Sequence, residues 1–280
     1  MLVIHYKPLI SIVYEAALAL KPKHLILNML LEANLPISSQ VFIRICQLFD
    51  ITENSARVTL ARLNSEGMVE APERGLYQLG PKARNLAADL ASWRELESKL
   101  GDWDGSWIGV YQAMLGRSDR TALRRRERLL QLAGFSALEQ GLAVRPNNLV
   151  GGVQALRKRL QSIGLEEEAI IFRIDELDVD SHKRAMSLWD KKDLEQHYRD
   201  AQKIMAEWMA RAEQLDSEAA AKESFLIGDE YIRCIAYDPM LPEEMVDTQL
   251  RREYLQTLIA FDQMGKSIWQ QLYQEFARVG

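Results

Sequence analysis

Cysteine is nearly absent from this sequence: Cys46 and Cys234 stand alone, with no CxxC spacing and no Cys/His cluster. A disulfide framework and a cysteine-based zinc site are therefore not expected. Cys46, beside Ile45 on a helical stretch, reads as a buried thiol. The four histidines, His5, His24, His182 and His197, share no metal-ligand spacing, so no metal is expected. Long apolar runs are missing too. Leu9 to Leu20 is interrupted by Ser11, Tyr14 and Glu15 and is too short to span a bilayer. No membrane partner and no signal peptide are expected, and a reducing cytoplasm fits. Positive charge is not in excess: the net charge of −5 argues against unspecific coating of nucleic acid, while leaving room for a local basic face. Paired carboxylates, a Ser-His-Asp set, a Gly-rich phosphate loop and a Cys-His couple are all lacking, so neither catalysis nor a cofactor is expected.

What is present is an ordinary soluble globular mixture, 48% hydrophobic and 27% charged, over 280 residues, enough for two or three domains. The charge is unevenly placed. Residues 1–95 carry +1, residues 96–175 carry +2 and residues 176–280 carry −8. Phosphates would repel that acidic last third, which suits a ligand or dimer module better than a nucleic-acid surface.

Ser38 to Leu79 organises the rest. Val41, Phe42, Ile45, Leu48 and Phe49 recur at helical spacing and predict a first helix with one apolar face. Asp50-Ile51 makes a turn, and Thr52 caps a second helix whose Ala56, Leu60 and Leu63 face inward and which Gly67 ends. Met68 to Glu70 and Leu76 to Leu79 predict a hairpin wing with Arg74-Gly75 at its tip. The sum is a winged helix-turn-helix. Asn54, Ser55 and Arg57, near the start of the second helix, are candidates for base edges, because Asn can read adenine and Arg guanine. Thr52, Arg62 and Arg74 are candidates for phosphate contacts.

Elsewhere the fold class reads as α+β, mostly α. A winged helix-turn-helix with an N-terminal extension occupies 1–80 and a linker helix 81–102. Residues 103–176 predict strand-helix-strand-strand-helix-strand, the ferredoxin-like order. Residues 177–280 predict a helical effector or dimer domain, with Gly265 as a kink in the last helix. The helix after Asp119 is rich in arginine; Arg117, Arg120 and Arg124 are candidates for an effector bearing phosphate.

Four motifs in order carry a family resemblance. They are Arg57 to Gly67 (RVTLARLNSEG), Trp103 to Trp107 (WDGSW), the Arg-rich helix running into Gly134-Phe135, Leu138 and Gly141, and Asp238 to Pro242 (DPMLP). Together the chain resembles the PaaX-like transcriptional regulators, the phenylacetate-degradation repressors. That resemblance implies a homodimeric repressor on a near-palindromic DNA operator, released by an aryl-CoA or other acyl-CoA thioester. The expected place for the effector is between the middle and helical domains. Two features depart from the family: the wing carries the single Arg74, and Gln249-Leu250-Arg251-Arg252 stands where a Trp-Gly pair is usual. The alternatives are a metal-dependent nuclease built on the ferredoxin-like unit and a scaffold using the winged helix for protein contacts.

Overall fold

The structure is a computed structural model that describes residues 20–33, 36–84, 92–116 and 119–278. The apolar run before Leu20, the middle of the linker helix and Arg117 lie outside these residues. The chain is α+β and mostly helical, with two small antiparallel sheets. It divides into two units. One gathers the described residues up to Trp93 with Asp200–Ile232 and Leu255 onward; the other comprises Arg94–Arg199 and Arg233–Tyr254.

In the first unit, α1 (Pro22–Ala33) buries Leu25, Ile26, Met29 and Leu30. After β1 (Ile37–Ser38), the Ser38 hydroxyl accepts the Val41 N–H and caps α2 (Ser39–Leu48). This helix turns Phe42, Ile45 and Cys46 into the same core, and burial pushes the Cys46 thiol up to about 11. Asp50 then takes a left-handed conformation (φ +59°), one that a short polar side chain tolerates better than most. It reverses the chain into α3 (Glu53–Ser65). Gly67, also left-handed, ends α3 and leads to β2 (Val69–Glu70) and β3 (Leu76–Leu79). The sheet order is β1-β3-β2, with Ile37 opposite Tyr77 and Val69 opposite Leu79. The C-terminal helices complete this core. Phe49, at the end of α2, meets Phe225 edge-on at 5.3 Å and stacks on Trp269 at 6.4 Å, while Leu226, Leu272 and Phe276 are buried beside them.

The second unit is built on β4 (Trp107–Tyr111), α4 (Arg120–Leu132), β5 (Ser136–Glu139), β6 (Leu142–Pro146), α5 (Gly152–Ser162) and β7 (Ile170–Ile174). All neighbours in the order β5-β6-β4-β7 are antiparallel. Ile108, Val110 and Ile171 from the sheet meet Leu130, Leu156 and Leu160 from α4 and α5. β4 stops at Tyr111, sooner than the apolar run to Leu115 suggests. The helices that follow are α6 (Val179–Met186), α7 (Lys191–Arg211), α8 (Ser217–Ala236) and α9 (Thr248–Arg278). Gly265 does not interrupt α9. A Cβ there would lie 3.5 Å from the Ser224 side chain, so the glycine serves close packing within the first unit.

Two of the sequence motifs are hydrogen-bonded turns of the second unit. In the WDGSW turn, Asp104 accepts both the backbone N–H (3.0 Å) and the hydroxyl (2.6 Å) of Ser106, and those bonds hold its carboxyl below the usual range. Trp103 donates to the Ser106 carbonyl and meets Trp107 edge-on. In the DPMLP turn, Asp238 accepts the Tyr198 hydroxyl at 2.5 Å and the Met240 N–H at 2.8 Å. Asn148 donates to the Met240 carbonyl at 2.7 Å, and Arg251 to the Leu241 carbonyl at 2.6 Å. Gly134 sits against this turn with φ +76°, where a Cβ would stand 2.8 Å from the Pro239 carbonyl oxygen. Strain and clash act together there. Gly134→Ala is expected to cost about 1–3 kcal/mol, seen as a lowered thermal midpoint. A midpoint equal to that of the parent chain contradicts this packing.

Candidate nucleic-acid interface

The face of α3 is set by what its other side buries. Ala56, Leu60 and Leu63 are at most 2% exposed and lock one stripe of the helix into the core. Helical geometry then commits the opposite stripe to solvent. Asn54, Arg57, Val58, Ala61 and Arg62 lie there, all exposed, with Ser55 half-buried at the edge. Thr52 is the N-cap: its hydroxyl oxygen accepts the Ser55 N–H at 3.3 Å. The remaining free amides of the first turn, with the positive end of the helix dipole, favour an anion there.

The electrostatics are milder than the arginines alone suggest. Arg57 is bound to Glu53 one turn earlier at 2.8 Å, and Arg62 lies 3.5 Å from Glu66 one turn later. Glu66 is in turn held below the usual carboxylate range, chiefly by the Lys23 ammonium at 3.1 Å. Exposed pairs of this kind contribute little and exchange readily for a phosphate or a base edge. Arg74 is exposed at the tip of the hairpin, beside the left-handed Gly75. Thr52, Asn54, Ser55, Arg57 and Arg62 therefore share one helix, and Arg74 stands on the adjoining hairpin.

Two residues of this face are absent from the sequence-based candidates. Val58 is 60% exposed, four residues after Asn54, an apolar group with no core to join. Glu53 is exposed and is the one carboxylate on the first turn of α3. Both follow from the helical spacing once Ala56 and Leu60 are assigned inward, so the signal was in the sequence.

The profile of the PaaX-like protein C-terminal domain matches residues 189–276. Over 217 residues the chain is 27% identical to the transcriptional repressor PaaX of Escherichia coli (strain K12), an alignment covering 69% of this chain. The chain is thus similar to PaaX and to the C-terminal domain of PaaX-like proteins. Its alignment spans 63% of that repressor's length, just under two thirds. A solved structure, the uncharacterized protein Rv0674 from Mycobacterium tuberculosis, matches with a TM-score of 0.56 at 19% identity, over 88% of this chain and 97% of that one. At that identity the likeness speaks of fold alone.

In the second unit, the Arg-rich helix α4 divides its arginines. Arg120 and Arg124 are exposed, but Arg126 is buried and makes a bidentate pair with Glu166 at 2.9 and 3.1 Å. Arg126 therefore ties α4 to the segment after α5. Asp119 caps α4 through the Thr121 and Ala122 amides. The cap on α3 gives a direct check. Thr52→Ala is expected to cost about 1 kcal/mol of local stability. It should speed hydrogen exchange at the Ser55 amide, and exchange at the parent rate speaks against the cap.

Proposed function

We propose that this chain is a sequence-specific DNA-binding transcriptional regulator that reads its site with α3. The observation that carries the reading is one exposed helical face, capped by Thr52, on which amide, hydroxyl, guanidinium and apolar groups stand together. In this reading residues 1–80 form a winged helix-turn-helix. Asn54 and Arg57 meet base edges, Ser55 assists, and Thr52, Arg62 and Arg74 position the phosphates. Val58 suits the C5-methyl of thymine. The remaining divisions are a linker at 81–102, a ferredoxin-like domain at 103–176 and a helical effector or dimer domain at 177–280. Likeness to a named repressor supports repression as the direction of control.

Repression calls for a homodimer on a near-palindromic operator, with half-sites about 34 Å apart or a multiple of that. It also calls for a ligand that binds the DNA-competent and released states unequally. An aryl-CoA or other acyl-CoA thioester is the proposed effector, with the exposed Arg120 and Arg124 as candidate partners for its phosphates.

Selection of host genomic fragments on the purified chain, followed by mobility-shift titration, tests the DNA reading. Arg57→Ala is expected to weaken binding by about 1–3 kcal/mol. Glu53→Gln moves the other way: it frees Arg57 and removes a carboxylate that phosphates repel, so binding tightens several-fold. Retention of no fragment removes the DNA reading and leaves protein contacts as the use of this face. Equal affinity in both variants removes α3 as the reading helix.

A further inference from the structure

The second unit contains a cavity of about 280 Å³ between the end of α4, the first turns of α5, the segment Leu96–Leu100 and the DPMLP turn. Its walls are largely apolar: Leu100, Leu132, Leu149, Leu156, Ile235 and Met240. Three cationic side chains reach it, from Lys99, Arg145 and Arg159, against one carboxylate, Asp238. That carboxylate is already occupied by the Tyr198 hydroxyl and the Met240 N–H.

Arg145 is the unusual group. It is 3% exposed, on the central strand β6, and no carboxylate among the described residues pairs with it. Its acceptors are neutral: the Pro146 carbonyl at 3.2 Å, the Ala133 carbonyl at 2.5 Å and the Asn148 side-chain oxygen at 3.1 Å. Those three bonds use one N–H on each nitrogen. A guanidinium has five, so one N–H on each terminal nitrogen is left. Leaving a buried charge without a counter-charge is costly, and neutral acceptors recover only part of it. Burial and the nearby Arg159 push Arg145 down to about 9, so it stays charged at neutral pH. Arg159 itself is exposed on α5. Two guanidinium groups thus oppose each other at one cavity, an arrangement that an anion between them would relieve.

We infer that this cavity is a binding site for a small organic carboxylate with an apolar body, its carboxylate on Arg145 and Arg159 and its hydrocarbon against Leu132, Leu156 and Ile235. Charge selects an anion, and the apolar walls select against a bare inorganic one. The volume of about 280 Å³ lies just below the roughly 300–1,000 Å³ of sites for drug-sized ligands, so a whole CoA thioester does not fit. The site is separate from the thioester proposed above, and it stands or falls independently of DNA binding.

Calorimetric titration of the full chain with hexanoate, benzoate, hexanol and inorganic phosphate tests it. One carboxylate per chain is expected to bind, with hexanol and phosphate much weaker. Arg159→Ala, on the surface, should weaken the carboxylate about tenfold, and Ala236→Leu should exclude it by filling the wall. Arg145 holds three buried acceptors, so its removal is a test of folding and is not used. No binding by either carboxylate overturns the site. Hexanol or phosphate binding as tightly as hexanoate overturns the ligand class. Carboxylate binding unchanged in both variants places it elsewhere and overturns the assignment.

Discussion

Everything proposed for the first unit depends on how α3 is buried. Ala56, Leu60 and Leu63 hold one side of a 13-residue helix in the core, and the left-handed turn at Asp50 fixes its angle to α2. Burial of the two leucine side chains is worth roughly 1.5–3 kcal/mol each, more than any exposed ion pair on the opposite face. The apolar stripe therefore decides the orientation, and the polar stripe is left free to vary with the ligand. The aromatic junction of Phe49, Phe225 and Trp269 reinforces this from the side of the C-terminal helices. Cys46 belongs to the same core as an inert apolar group.

The second unit solves a different problem, the burial of guanidinium groups. Arg126 has Glu166, and Arg251 has Glu97 at 2.9 Å together with the Leu241 carbonyl. Among the described residues, Arg145 is the one buried arginine with only neutral acceptors. The DPMLP turn links these groups: its carbonyls accept from Asn148 and Arg251, and Gly134 leaves room for the turn and for the Arg145 guanidinium. Turn, glycine and arginine form one constellation, although more than a hundred residues separate Gly134 from Leu241 in the sequence.

Local signals were legible in the sequence where a short-range rule governs them. Thr52 was readable as a cap because a capping bond spans two or three residues, and the caps at Ser38 and Asp119 obey the same rule. The β5–β6 hairpin follows from the left-handed Gly141, and the family resemblance from four motifs is matched by the likeness to PaaX. Long-range consequences were not legible. The spacing that makes α4 basic cannot tell which arginine is buried, since the partner Glu166 lies 40 residues away. Gly265 reads as a kink until Ser224 is known to lie against it. The cavity at Arg145 draws on four separated segments and has no signature in any one of them.

The central claim is that the stripe Asn54–Arg57–Val58 faces DNA. Hydroxyl-radical footprinting of the protein, with and without a genomic fragment that it retains, tests this directly by reporting side-chain accessibility residue by residue. The account predicts protection of Val58 and its neighbours on α3, with Trp208 and Trp269 unchanged in the core. Protection that leaves the peptide 53–62 as accessible as in the free chain would contradict it.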